Sequence, residues 1–189
     1  MDDEDEPERK RKRLNVTVRP MEIDDLPTVY HLGEKLFTAR KAPTLYRTWD
    51  QFEVIELFQA ESELCFVAEL DDGQIIGFAL GTTIRKSRSA WKYGHLVWLG
   101  VEPSFQQHKV STKLFNNFRD QLLEMGVRMM LVDTEAGNLP ALRFFRKIGF
   151  GNPERHVYLT LNLDQQRRQL GDKNHNGQPQ GLRQTGDDD

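Results

Sequence analysis

The run His95-Leu-Val-Trp-Leu-Gly-Val101 is apolar at nearly every position, and a short loop separates it from a helical pattern running from Val110 to about Met125. A strand that is apolar on both faces must be covered on both, which places it at the centre of a sheet with helices on either side. Val110, Leu114, Phe115, Phe118, Leu122 and Leu123 fall along one side of the helix, and Gly126 ends it. A second buried strand, Arg128–Asp133, and a helix from about Leu139 to Lys147 follow. Asn138 sits at the cap of that helix, Pro140 lies in its first turn and Gly149 follows its end. Strand–helix–strand order of this kind predicts a parallel pair.

The segments before this unit have a different rhythm. Leu14–Arg19 alternates as a short strand. Asp24 or Asp25 caps a helix with Pro27 in its first turn and Leu26, Val29, Tyr30, Leu36 and Phe37 on its apolar face. A loop, Lys41–Arg47, precedes Thr48-Trp-Asp-Gln51, a capping-box pattern that opens a second helix with Phe52, Ile55 and Phe58 inward. Leu64–Leu70 and Gln74–Ile84 are strands joined by the hairpin turn Asp71-Asp-Gly73. Val157–Leu163 alternates as a last strand. Antiparallel strands followed by β-α-β units define an α/β chain with a mixed sheet.

The core of this domain spans residues 14–163. Residues 1–13 form a charged block, acidic and then basic at Arg9-Lys-Arg-Lys-Arg13, and read as a disordered, solvated arm. Residues 164–189 are rich in Gln, Gly, Asn and Asp and read as a second disordered tail. The N-terminus lacks the apolar segment of a signal peptide, and no apolar run approaches the ~18 residues of a membrane span, so a soluble protein without a membrane partner is expected. A formal net charge of −3 gives no basic field to recruit nucleic acid. One cysteine, Cys65, forbids an internal disulfide, and five scattered His show no metal-ligand spacing. No metal is therefore expected, and the setting that fits is reduced and cytoplasmic. Oligomeric state stays open, a homodimer included.

The segment Trp98–Phe115 carries the chemistry. A helix N-terminus after a strand and a loop presents unpaired N–H groups and partial positive charge, which hold phosphate, and Lys109 and Lys113 add charge. Val101-x-Pro103, Gln106-x-x-x-Val110 and Lys113-Leu-Phe resemble motif A of the GNAT acetyltransferases. Asn138-Leu-Pro-Ala-Leu-Arg-Phe-Phe-Arg-Lys-Ile-Gly-Phe150 is similar to their motif B, with Asn138, Ala141, Phe144, Lys147, Gly149 and Phe150 in place. Arg19-Pro, Asp24-Asp-Leu, Val67-Ala-Glu and Ile75-Ile-Gly-Phe78 match the family's opening helix and early hairpin, so the resemblance spans about residues 14–163.

The resemblance implies a GNAT fold: a mixed central sheet flanked by helices, in which two parallel strands, 95–101 and 128–133, splay apart. It implies acetyl-CoA as co-substrate, its pantetheine arm on the first strand near Leu99 and Val101. The pyrophosphate would rest on the loop Gln106, Gln107, His108, Lys109, Val110 and Ser111, with Asn138 holding the cofactor or the loop. The reaction it implies moves acetyl to a primary amine: a protein N-terminus, a lysine or a small molecule. Ribosomal-protein alanine N-acetyltransferases resembling this chain carry a carboxylate at the place of Asp133, so Asp133 is the first candidate base. His95 is the second, because histidine changes charge nearest neutrality, and Glu135 is the third. Strand backbone near Val101 would hold the oxyanion.

Two residues depart from the family pattern. Lys109 stands where glycine usually allows close backbone approach to phosphate; its Cβ obstructs, or its ammonium compensates. Phe145 stands where many relatives carry a tyrosine that protonates the leaving thiolate, so Phe145 would touch the cofactor without acting as an acid. General-acid help is typically worth roughly 10²–10⁴-fold, so its loss slows transfer without forbidding it. These departures keep open an alternative, a weak or inactive GNAT-fold module that binds acyl-CoA and acts by regulation. Plainer readings stand beside each residue: Asp133 as a strand-end turn former, His95 as a strand-end histidine, Lys109 and Lys113 as solvated charges, Phe145 as core. Tyr46, Trp49, Trp91 and Tyr93 flank regions that line the acceptor site in this family, or simply pack.

Overall fold

The computed structural model describes residues 15–38, 48–85 and 91–154, and singly Val157, Leu159, Leu161 and Leu163. The chain divides into two units, Met1–Gly151 and Asn152–Asp189, and the fold described is that of the first. Both tails and the loop containing Tyr46 lie outside the described residues.

Among the described residues five strands form one sheet in sequence order: β1 (Val16–Pro20), β2 (Cys65–Leu70), β3 (Ile75–Arg85), β4 (Lys92–Val101) and β5 (Met129–Val132). The first four pair antiparallel, and β4 pairs parallel with β5. The helices are α1 (Leu26–Leu36), α2 (Gln51–Ala60), α3 (Val110–Glu124) and α4 (Leu139–Lys147). None of these is long and apolar enough to cross a membrane.

The strand that is apolar on both faces is indeed covered on both. On one side Leu96 and Val101 of β4 pack with Leu114, Phe115, Phe118 and Leu122 of α3, and Phe144 and Phe145 of α4 join them. On the other, Val97 and Trp98 pack with Val29 and Leu32 of α1 and Val54 and Leu57 of α2. Trp49, just before α2, is the hub of this second layer: its ring lies 5.1 Å from that of Trp98 and 5.2 Å from that of Phe78, and its Nε1 donates to the Tyr30 carbonyl at 2.9 Å. The indole fits because residue 33 is glycine; a Cβ there would stand 2.0 Å from the ring.

Four expectations are corrected. In α2 the buried residues are Val54 and Leu57, with Phe58 half-buried, while Phe52 and Ile55 face outward. Apolar residues lie on both sides of this helix, so its inward face was ambiguous until Trp49 and the sheet chose one. Its cap is Asp50, whose side chain accepts from Phe52 N at 2.6 Å, and not Thr48. The strand expected to be buried at 128–133 is shorter and half exposed: among the described residues β5 pairs with β4 alone, and Met129 and Leu131 are exposed. The strand expected over Val157–Leu163 is absent at its described positions, since Val157, Leu159 and Leu161 are not in a strand and Leu163 is helical. Alternation makes a strand only when a neighbour supplies the ladder.

Arg19 ties the first strand to the first helix. Its guanidinium donates to both carboxylate oxygens of Asp25, at 2.6 and 3.0 Å, and to Glu69 of β2. Asp25 also accepts from Glu22 N at 2.8 Å. The Arg19 hydrogen bonds, aided by that backbone N–H, hold the Asp25 carboxyl below the usual aspartate range despite its burial. A depressed carboxylate contributes stability that is complete above its unfolded pKa and is lost as pH falls through the lower folded one. Asp25→Asn is expected to cost about 1–3 kcal/mol at neutral pH, discounted because Arg19 is partly exposed, with the gap to wild type closing in acid. Denaturant midpoints across pH check this; a gap that persists below the aspartate range would exclude the charge as its source.

Candidate active site

The site is built where β4 and β5 part. β5 pairs with Tyr93–Leu96 and ends there, opposite Leu96, while β4 continues to Val101, paired among the described residues with β3 alone. A bulge marks the same place: Leu80 faces Trp98 and Gly81 faces Leu96, so Val97 is an extra residue in β4. It turns Val97 and Trp98 to one side of the sheet. Glycine at 81 is required by the close approach, since a Cβ would stand 2.4 Å from the His95 carbonyl oxygen.

At the fork two candidates meet. His95 Nε2 lies 2.9 Å from Asp133 Oδ1, the carboxylate following the last residue of β5. The His95 side chain is 19% exposed and that of Asp133 42%. His95 also lines a cavity of about 290 Å³ on the α2 side of the sheet, bounded by Glu53, Glu56, Leu57 and Ala60 of α2, Thr82 of β3 and Val97. Glu135 is half-buried farther along the loop before α4, and its carbonyl accepts from Asn138 N at 2.9 Å.

Below the fork the chain forms the start of α3. Gln106, Gln107, His108 and Lys109 are exposed. Gln107 and Lys109 take left-handed backbone, φ 69° and 61°, so the conformation for which glycine is the usual residue is kept with side chains in place. No side chain caps α3, unlike α2 and α4, so its first-turn N–H groups lack a side-chain acceptor. Gln106 Nε2 donates a long bond, 3.4 Å, to the Val101 carbonyl, and the Gln106 carbonyl faces His108 Nδ1 at 3.0 Å. The Val110 side chain is in the core, so only its backbone can reach a ligand. Ser111 and Leu99 are half-buried.

Other expected residues have different work. Lys113 Nζ donates to the Val16 carbonyl at 2.8 Å, so its ammonium anchors β1. Asn138 caps α4 by accepting from Ala141 N at 3.3 Å and donates to Thr134 Oγ1 at 3.1 Å, which braces the Asp133–Asn138 loop. Phe145 packs among Phe144 and Phe150, ring centres 5.4 and 5.5 Å away. Cys65 is fully buried and burial pushes its thiol up to about 12, which makes it a packing residue. Nothing in the sequence marks Glu53 and Glu56: on an amphipathic helix they look like any solvated charges, and only the sheet opposite turns them into cavity walls.

Left-handed backbone costs a non-glycine residue roughly 1–2 kcal/mol. Lys109→Gly is therefore expected to raise the unfolding free energy by about 1 kcal/mol, read as a higher denaturant midpoint. An unchanged or lower midpoint would show that the surroundings already relieve this strain.

The fold and this fork define the class. The family model described as the acetyltransferase (GNAT) family matches residues 26–150, and the chain belongs to that family. A mycothiol acetyltransferase of Sanguibacter keddieii is 34% identical over 80 residues, which is 42% of this chain and 25% of that protein; the match spans only a quarter of the relative's length. The aminoglycoside N-acetyltransferase AAC(6')-Iy, solved with CoA, superposes with a TM-score of 0.64 at 23% identity, covering 80% of this chain and 97% of that one. The NatC complex bound to Gag peptide and CoA gives 0.64 at 20% identity, covering 77% and 92%. At these identities the structures establish the shared fold.

Proposed function

We propose that this protein transfers an acetyl group from acetyl-CoA to a primary amine, with His95 as the base and Asp133 as its partner. The observation that carries this is the 2.9 Å His95–Asp133 contact at the fork of β4 and β5, on a histidine that also lines a cavity. With the Nε2 proton directed at the carboxylate, Nδ1 keeps the lone pair that accepts a proton, and Asp133 stabilises the imidazolium that forms. The amine nitrogen bonds to the acetyl carbon, the carbon–sulfur bond breaks with its electron pair on sulfur, and the thiolate takes a proton. Phe145 has no hydroxyl for that last step, so water supplies it. Glu135 is not needed in this scheme.

The residues present fit acetyl-CoA. The part of β4 beyond β5, Val97–Val101, faces no parallel neighbour along β5, and the uncapped start of α3 offers N–H groups to pyrophosphate. Lys109 is exposed at that point and adds an ammonium. Leu99, Val101, Gln106, Gln107, His108, Val110 and Ser111 contribute backbone or flank that surface; Asn138 acts through the loop it braces. The alternative, an acyl-CoA-binding module without turnover, draws on Phe145 and Lys109.

Calorimetric titration of the full chain with acetyl-CoA is expected to give a micromolar Kd, followed by CoA thiol release with an amine panel. Lys109→Gly is expected to weaken binding by roughly tenfold, about 1.4 kcal/mol, while stabilising the fold. Absence of binding at millimolar acetyl-CoA would end the enzymatic reading. Binding without thiol release from any amine would favour the regulatory module.

A further inference from the structure

Strand β3 outlasts β2. Among the described residues their register stops at Cys65 opposite Leu80, while β3 runs on to Arg85 against β4. Beyond that point the Thr83 N–H has no β2 carbonyl to meet, and a side chain takes it. Glu61, the residue that follows α2, reaches across to β3. Its carboxylate accepts from the Thr83 N–H and the Thr83 hydroxyl, and its Oε2 also accepts from Thr82 Oγ1 at 3.0 Å. Glu61 and both threonines are half-buried. The two Thr83 bonds close the strand edge by themselves; the bond from Thr82 reaches the pocket beside His95.

Thr82 stands directly opposite His95 in the β3–β4 register. Directly opposed residues of an antiparallel pair project from the same face of the sheet, with Cβ atoms about 4.5–5.5 Å apart. Both residues line the pocket. A hydroxyl carries one proton and two acceptor lone pairs, and a carboxylate can only accept. With its proton given to Glu61, Thr82 Oγ1 has only acceptor capacity left. His95 Nδ1 has the same character in the proposed mechanism, since Nε2 faces Asp133 at 2.9 Å. Two acceptors side by side match a neutral primary amine. One N–H goes to His95 Nδ1, the other to Thr82 Oγ1, and the lone pair is left for the acetyl carbon.

We infer that Thr82 is a specificity residue for the acceptor, taking a hydrogen bond from a primary amine beside His95, and that Glu61 is the positioning residue that fixes the direction of the Thr82 hydroxyl. This rests on the acetyltransferase reading and adds a reason for choosing primary over secondary amines. An N-methyl group replaces the N–H that Thr82 receives and leaves its lone pair without a donor. In Glu61→Gln the amide oxygen can keep Thr82 and the Thr83 N–H while the amide NH2 turns to the Thr83 hydroxyl, which also accepts. Glu61→Ala removes every one of these bonds.

The experiment measures CoA thiol release by the full chain with butylamine and N-methylbutylamine, alongside calorimetric titration with acetyl-CoA and thermal unfolding. Thr82→Val keeps the branched shape and removes the hydroxyl. It is expected to lower kcat/KM for butylamine about three- to tenfold, the worth of one hydrogen bond, and to narrow the preference over N-methylbutylamine by a similar factor. Thr82→Ser restores both, and acetyl-CoA affinity stays at the wild-type value. Glu61→Ala reproduces the Thr82→Val effect and Glu61→Gln recovers most of it, a pattern that lost packing does not produce. An unchanged kcat/KM in folded Thr82→Val, or an equal loss for both amines, would overturn the proposal while leaving acetyl transfer standing. Wild-type kinetics in folded Glu61→Ala would overturn the part given to Glu61. If neither amine releases CoA, calorimetry of butylamine with CoA present decides. Binding weakened by Thr82→Val and kept by Thr82→Ser retains the amine site without catalysis; any other result removes it.

Discussion

Replacing His95 with alanine is expected to lower kcat/KM for acetyl transfer by roughly 10²–10⁴-fold, the range over which a positioned general base acts. The loss should fall on kcat, because in the proposed mechanism the side chain takes the transferred proton, while the start of α3, the surface proposed for acetyl-CoA, is unchanged. Asp133→Asn keeps the shape of the partner but not its charge, and a smaller drop is expected, again in kcat. The double variant should lose little more than His95→Ala alone, since the two act as a unit. Steady-state kinetics with thermal unfolding run in parallel checks this. A normal kcat in a folded His95→Ala protein would return the pair to a structural role at the fork.

Trp49→Ala is expected to be the most damaging single change to the fold, costing about 3–5 kcal/mol as large-to-small substitutions of buried aromatics do. The indole is 8% exposed, touches the rings of Phe37, Phe78 and Trp98, and satisfies the Tyr30 carbonyl. For a domain of this size the corresponding fall in Tm is roughly 6–20 °C. The consequence reaches the cavity, because Trp49 seats the start of α2 and α2 carries Glu53 and Glu56. Denaturant melts give the number directly; a loss below about 1 kcal/mol would mean that the layer repacks around Gly33.

Much of this architecture was legible because its signals are local. The run His95–Val101 has no polar face, so it had to be central; Gly126 and Asn138 mark helix ends by backbone chemistry; Asp71-Asp-Gly73 makes a turn wherever it occurs. Motifs at the start of α3 and through α4 pointed to the family on residue identity. The phase of α2 was not legible, since Phe52 and Ile55 are as apolar as Val54 and Leu57 and helical spacing alone cannot rank two apolar faces. The exposure of β5 was not legible either, because burial of a strand depends on what lies beyond its outer edge.

Residue chemistry along the chain determined the α4 cap at Asn138, the hairpin, the central strand and the start of α3 at Val110. Those depend on contacts a few residues away, which a sequence states outright. Tertiary structure alone decided that His95 and Asp133 meet, that Lys113 spends its charge on Val16, and that Glu53 and Glu56 line the open pocket beside His95. Each of these joins elements distant in sequence, and the bulge at Val97 together with the packing of Trp49 sets where they come to rest. Short-range order follows from the identity of neighbours, whereas a site built across a sheet follows from how its faces are filled.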